Sequence, residues 1–181
     1  MSRILVLGDS NALPRSEVKE LETWPRLLAT LLPEHAIINK SMSSLTAPLA
    51  AEILQNQHPK PDYVILQVGL VDCWPRKAGV LVPRLTFSVS VKGISNICEN
   101  KGIVPLAILI MRPGDRISAE YPTVREEISF YNGILYGALS LYPCTVDVNE
   151  FIGPDQLLAD DQHINAAGQD VLAKRVARAA W

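Results

Sequence analysis

Ser10 is the first residue of the chain whose type and place could carry covalent chemistry. It follows Leu5-Val6-Leu7-Gly8-Asp9, an aliphatic run that ends in turn residues. A serine hydroxyl is a weak nucleophile until a base removes its proton, and near neutral pH the usual base is an imidazole oriented by a carboxylate. The chain has three histidines, His35, His58 and His163. His163 lies in Asp160-Asp161-Gln162-His163-Ile164-Asn165, where a turn would bring the Asp160 carboxylate to one ring nitrogen and leave the other for Ser10. Neither piece is diagnostic alone, because Ser or Asp after a strand and Asp before a helix are both common for capping reasons.

The elements that must position these residues follow from the hydrophobic pattern. Brief aliphatic or β-branched runs bounded by turn residues predict strands over Ile4 to Leu7, Ala36 to Asn39, Tyr63 to Val68, Val104 to Ile110 and Cys144 to Val148. Segments of helical period between them predict helices over Thr23 to Leu32, Pro48 to Gln57, Arg84 to Lys101, Thr123 to Leu141 and Ala166 to Ala180. This alternation is the pattern of parallel strands joined by crossover helices, so the fold class is α/β with five strands. Ligands of open α/β sheets bind at the carboxyl ends of the strands. Ser10 follows the first strand at that edge, and His163 stands just ahead of the last helix. Irregular stretches, Cys73 to Pro83 and Arg112 to Pro122, also follow strand ends and read as substrate contacts or plain surface excursions.

Composition narrows the field. At 181 residues, with 48% apolar and 20% charged residues, the chain is expected to fold as one domain over 1–181. A net charge of -2 with scattered basic residues argues against nucleic acid as a partner. The longest apolar runs are too short to span a bilayer, and no signal peptide is read at the start, so a cytoplasmic protein without a membrane partner is expected. The cysteines, Cys73, Cys98 and Cys144, are widely spaced and read as free thiols, and no histidine spacing suggests zinc. No metal or other cofactor is expected.

Taken together, Gly8-Asp9-Ser10 after the first strand and Asp160 with His163 before the last helix resemble the SGNH (GDSL-type) hydrolase superfamily. The stretch Ile164-Asn165-Ala166-Ala167-Gly168 resembles the residues that follow the histidine in that family. The resemblance spans nearly the whole chain. It implies a three-layer α/β/α, flavodoxin-like sandwich with a five-stranded parallel sheet. It also implies Ser10 as nucleophile, His163 as base and Asp160 as the carboxylate that orients it, with Asp161 a runner-up of the wrong spacing.

The family's oxyanion hole combines the serine N–H, a glycine N–H in a second block and an asparagine side chain in a third. Ser10 can supply the first. The second block here is Asn39-Lys40-Ser41-Met42-Ser43-Ser44, with Ser41 at the glycine position, and a backbone N–H from Ser41 could still serve. The third is Gly69-Leu70-Val71-Asp72, and Val71 has no side-chain donor. Arg76 and Arg15 are candidates to replace the missing amide, against the alternative that each is a solvated surface arginine. Asp9, Asp72 and Arg112 are candidates for substrate binding; Asp72 could instead fix its loop and Arg112 could cap carbonyls. Asn132 reads as a helix-packing residue.

The resulting expectation is a serine esterase or deacylase acting on a small or carbohydrate acyl ester. Acyl transfer to a sugar hydroxyl through the same serine is an alternative, as is a non-catalytic binding module, which Val71 favours. A phosphate- or flavin-binding protein would leave Asp160 and His163 unexplained.

Overall fold

The computed structural model describes residues 1–76, 79–139 and 145–179. Five parallel strands form the sheet: β1 (Ser2–Gly8), β2 (His35–Asn39), β3 (Tyr63–Gln67), β4 (Val104–Ile108) and β5 (Thr145–Val146). Their spatial order is β2-β1-β3-β4-β5. In the register of the central pair, Ile4 lies beside Tyr63 and Gly8 beside Gln67. The reversal of direction at β1 means that successive crossovers lie on opposite faces, which produces three layers.

The predicted long helices appear as α1 (Trp24–Leu31), α2 (Ala47–Gln55), α4 (Arg84–Lys101), α6 (Val124–Leu139) and α7 (Ala166–Ala179). Side chains of β1 alternate between faces, as a strand's period of two requires. Leu5 and Leu7 join Leu54 of α2, Phe87, Val91 and Ile94 of α4, and Ile128, Tyr131 and Leu135 of α6. Ile4 and Val6 join Trp24 and Leu28 of α1 and Leu172, Ala173 and Val176 of α7. The arrangement is therefore an α/β/α sandwich with two separate cores. Truncating any of these fully buried leucines or isoleucines to alanine is worth about 2–5 kcal/mol.

Three strands end earlier than the sequence suggests, β3 by one residue at Gln67 and β4 and β5 by two at Ile108 and Val146. Beyond Ile108, the N–H and C=O of Ile110 pair with the side-chain amide of Asn132 at 2.7 and 2.9 Å, so α6 satisfies what a neighbouring strand otherwise would. The packing role expected of Asn132 thus has a definite form. Beyond Val146, the carboxylate of Asp147 accepts the N–H of Asn149 at 3.0 Å and starts a one-turn helix. Cys144, at the start of the predicted fifth strand, lies outside the described residues, as do Lys77, Ala78 and 180–181. A short helix, α3 (Leu70–Cys73), ends where the first irregular stretch begins; that stretch contains a small hairpin pairing Pro75–Arg76 with Gly79–Val80, and the second contains another short helix, α5 (Asp115–Glu120). Four to six residues are too few to show a helical period. Among the described residues, no helix is long and apolar enough to cross a membrane.

Gly69 links β3 to α3 with a φ of 116°, a region that side chains other than glycine's rarely allow. A Cβ there would also meet Cδ1 of Ile110 at 2.5 Å. Gly69→Ala is expected to lower the unfolding free energy by about 2–4 kcal/mol, from backbone strain and overpacking together. Urea unfolding measures this directly; a change under about 0.5 kcal/mol, the range of ordinary surface substitutions, would overturn the strain argument.

Candidate active site

The turn after β1 has no room for anything but glycine at its first position. A Cβ on Gly8 would stand 2.6 Å from the Cβ of Ala12 and 2.9 Å from Oγ of Ser41. Asp9 continues the ladder by donating its N–H to the carbonyl of Gln67 at 3.0 Å, and its carboxylate accepts the N–H of Asn11 at 2.9 Å. That bond caps a single helical turn over Ser10–Ala12. Ser10 is thereby fixed at the carboxyl edge of the sheet.

The end of the chain comes back to meet it. Oγ of Ser10 lies 2.9 Å from Nε2 of His163. On the other side of the ring, Nδ1 lies 2.7 Å from Oδ2 of Asp160. The spacing of three residues works because Asp160 closes its own turn, accepting with Oδ1 the N–H groups of Gln162 at 3.0 Å and His163 at 2.9 Å. One carboxylate shapes the loop and faces the imidazole. The Nδ1–H then donates to Asp160, which leaves the Nε2 lone pair toward the serine. The structure brings Ser10, His163 and Asp160 together; Asp161 is turned away.

Asp161 has a different task. Its φ is 58°, its carbonyl accepts the N–H of Gly114 at 2.8 Å, and its carboxylate accepts the N–H of Arg116 at 3.0 Å. A Cβ on Gly114 would collide with that carboxylate at 2.6 Å. The loop carrying His163 is therefore clasped to the loop that follows β4, a contact that sequence reasoning missed.

A cleft of about 220 Å³ opens beside Ser10, lined by Ser10, Ser43, Ser44, Leu70, Val71, Trp74 and Gln162. Val71 is in its wall, where its side chain can exclude water but donate no hydrogen bond. Ser41 requires a correction. Its N–H is committed to Oδ1 of Asn39 at 3.0 Å, and its hydroxyl accepts the N–H of Gly8 at 3.0 Å. It braces two strand ends instead of facing the cleft. The second-block residues in the cleft are Ser43 and Ser44, and among the described residues their N–H groups and that of Ser10 make no hydrogen bond. Nothing in the sequence marks them, because every residue except proline carries a backbone N–H.

The other candidates divide in the same way. Asp9 and Asp72 are 3% and 0% exposed, so neither is a substrate contact. Asp72 accepts the N–H of Ala47 at 2.9 Å, at the start of α2, and thereby ties α3 to that helix. Burial pushes Asp9 up to about 6, against its bond from Asn11 and with a further push from Asp72 nearby. Burial also pushes Asp72 up to about 6, against the N–H bonds it accepts. Arg112 does not line the Ser10 cleft; it borders a separate cavity of about 400 Å³ with Asp115, Arg125 and Asn149. The side chain of Arg76 lies outside the described residues. Arg15 is also absent from the cleft wall and places Nη2 on Nε2 of His163, the nitrogen that Ser10 approaches. Among the described residues, no three His, Cys, Asp or Glu side chains gather as a metal site would require.

Burial lowers the His163 pKa, Asp160 opposes that, and the Arg15 guanidinium adds to the lowering. For Asp160 itself, burial works upward but is outweighed by the N–H donors of Gln162 and His163 and by the ring, so its carboxyl stays below the ordinary range. A neutral imidazole beside an ionised carboxylate is the state a base needs.

No protein-family model matches the sequence, and no curated protein does. Solved structures do match over almost the whole chain. The acetylxylan esterase Axe2 from Geobacillus stearothermophilus superposes with a TM-score of 0.79 at 19% identity, covering 98% of this chain and 93% of Axe2. The psychrotrophic esterase EstA from Pseudoalteromonas sp. gives 0.75 at 17% identity, covering 99% and 96%. A protein from Desulfitobacterium hafniense assigned to the lipolytic G-D-S-L family gives 0.74 at 19% identity, covering 99% of both chains. The chain thus has the SGNH (GDSL-type) hydrolase fold, as the combination of its first and last blocks led one to expect.

The His163 imidazole is expected to titrate below 6.5, the ordinary value for histidine. Following its ring protons by NMR against pH, with His163→Ala to assign the signal, tests this. A midpoint at or above 6.5 would mean that the field of Asp160 outweighs burial and Arg15.

Proposed function

We propose that the protein is a serine esterase that cleaves short acyl esters, with an acylated carbohydrate as the substrate class. The observation that carries this reading is the chain of contacts from Ser10 Oγ to His163 Nε2 at 2.9 Å and from His163 Nδ1 to Asp160 Oδ2 at 2.7 Å. In the reaction, His163 Nε2 takes the hydroxyl proton as Ser10 Oγ attacks the ester carbonyl carbon. The carbonyl π pair moves onto its oxygen, and the N–H groups of Ser10 and of the Ser43-Ser44 turn are the donors available to receive it. When the tetrahedral intermediate collapses, the bond to the alcohol oxygen breaks and that oxygen takes the proton from Nε2. Water then repeats the sequence on the acyl-serine, with His163 as base, and releases the carboxylic acid.

The cleft of about 220 Å³ favours a short acyl group over a long chain. The carbohydrate assignment draws on the acetylxylan esterases among the structures that share this fold at 17–19% identity. Entry of a sugar hydroxyl in place of water would make the same site an acyltransferase. A second reading, a binding module without turnover, is favoured by one observation, the apolar Val71 where the family's amide donor would stand.

A fluorophosphonate probe is expected to label Ser10 in the native protein and to fail in His163→Ala, with the adduct located by peptide mass spectrometry. Ser10→Ala and His163→Ala are expected to lower kcat for acetate esters by roughly 10⁴-fold or more without moving the melting temperature. Asp160→Asn is expected to lose roughly 10²- to 10⁴-fold, since the imidazole remains but its tautomer is no longer held. Absence of labelling in the folded native protein would favour the binding module, and full turnover in either knockout would reject the mechanism.

A further inference from the structure

Nε2 of His163 has two neighbours, the hydroxyl of Ser10 at 2.9 Å and Nη2 of Arg15. In the acyl transfer proposed above, this nitrogen has two successive duties: it takes the proton of Ser10 and then gives it to the oxygen of the departing alcohol. That oxygen must therefore come within hydrogen-bond reach of Nε2 from a direction other than that of Ser10. The guanidinium now fills such a direction. Arg15 does not border the cleft formed by Ser43, Ser44, Leu70, Val71 and Trp74, so an acyl group seated in that cleft would leave the alcohol on the side of Nε2 that Arg15 occupies.

The guanidinium is poorly satisfied where it lies. It offers five donors and no acceptor, its Nε is buried without a hydrogen bond among the described residues, and its Nη2 faces a neutral ring nitrogen. None of the three nearby carboxylates pairs with it: Asp9 is buried, is pushed toward its neutral form by that burial, and accepts the N–H of Asn11. Asp160 is engaged by its own turn and by Nδ1 on the far side of the ring. Glu17 feels the charges of both Arg15 and Asp160, but its carboxylate is held by the hydroxyl of Ser16. The backbone of Arg15 is braced by reciprocal bonds with Val18, its N–H donating at 2.8 Å and its C=O accepting at 3.3 Å. The backbone is fixed by these bonds, so any displacement of the guanidinium has to come from the side chain.

We propose that Arg15 selects esters whose alcohol carries a carboxylate close to the ester oxygen. That carboxylate takes the guanidinium in its planar fork and draws it off Nε2, so the base is released when the matching alcohol is bound. With Glu17 and Asp160 near and Arg15 the cation that bears on His163, a singly charged carboxylate fits better than a phosphate dianion. A neutral alcohol leaves the guanidinium on the nitrogen, where it competes with Ser10 for the lone pair and its charge disfavours the imidazolium. This selection rests on the esterase reading, and the experiment separates the two.

The test compares the acetate esters of 3-hydroxybenzoate and of phenol in the native protein, Arg15→Ala and Arg15→Lys. The native protein is expected to favour the carboxylated ester by about tenfold or more in kcat/KM, the range of a charge-assisted hydrogen bond. In Arg15→Ala the ratio is expected to fall to about one, with the phenyl ester cleaved faster than before, while Arg15→Lys keeps part of the preference without the fork. Equal rates on the two esters in the native protein, or a ratio unmoved by Arg15→Ala, would overturn the proposal. A second arm needs no turnover: 3-hydroxybenzoate, but not phenol, is expected to raise the His163 titration midpoint in the native protein and to leave it unmoved in Arg15→Ala. If Ser10 resists the fluorophosphonate probe and neither ester is cleaved, the esterase reading fails and the NMR arm still decides. An Arg15-dependent shift then supports a carboxylate site, and no shift overturns it.

Discussion

The site depends on one side chain that is not part of the chemistry. Asn11, next to Ser10, accepts with its side-chain oxygen the N–H of Ile164, next to His163, at 3.0 Å. Its backbone carbonyl accepts from the amide of Gln169 on α7 at 2.9 Å, and the other end of that amide accepts the N–H of Trp24, the first residue of α1, at 2.7 Å. The indole N–H of Trp24 donates in turn to Gln67, the last residue of β3, at 2.9 Å. All of these groups are buried, where a hydrogen bond is worth most and a lost partner costs most. Residues more than 150 positions apart are held in register by this network, and a distance of 2.9 Å between Ser10 and His163 is one of its consequences.

A similar economy governs the acidic residues of the edge. Asp9 and Asp72 look in sequence like groups waiting for a substrate, yet each gives one carboxylate oxygen to a backbone N–H, of Asn11 and of Ala47. Each is driven toward the neutral form by burial, and the nearness of Asp72 adds to this at Asp9. Asp160 is the contrast. It is more open to solvent, is supplied with three donors, and is held in the charged form that an imidazolium partner requires. The environment of each carboxyl, not its position on the edge, decides which is structural and which can orient a base.

The fold was legible because its elements are long and strongly patterned. Five brief apolar runs became the five strands, and α4 has the bounds that its period suggested. Ser10, Asp160 and His163 were legible as a set because two weak motifs sit at the two ends of an α/β alternation that must bring them to one edge. What sequence could not show was which groups of the second block turn inward. Asn39 and Ser41 spend their polar atoms on each other and on Gly8, and that is visible only once β1 and β2 lie side by side. The clasp between Asp161 and Gly114 was hidden for the same reason, since it joins loops 47 residues apart that carry no common motif. Pairing between loops is a product of topology and leaves no periodicity to read.

Val71 and Arg15 are then two sides of one question about where charge is managed. With valine in the cleft wall, an oxyanion formed in the proposed reaction would have backbone donors and an apolar neighbour in place of a side-chain amide, so its stabilisation would rest on the fixed dipoles of Ser10 and the Ser43-Ser44 turn. Those dipoles are set by the same turns that Asn11 and Asn39 hold rigid, and a rigid donor costs no reorganisation when charge appears. On the other side of the serine, the guanidinium of Arg15 rests on a braced backbone against Nε2 of His163, the atom that carries the proton in the proposed reaction. In the proposed reaction the acyl side would thus be preorganised and the alcohol side the one that can adjust. On that proposal, discrimination between substrates belongs on the adjustable side, where displacement of one side chain decides whether the base is free.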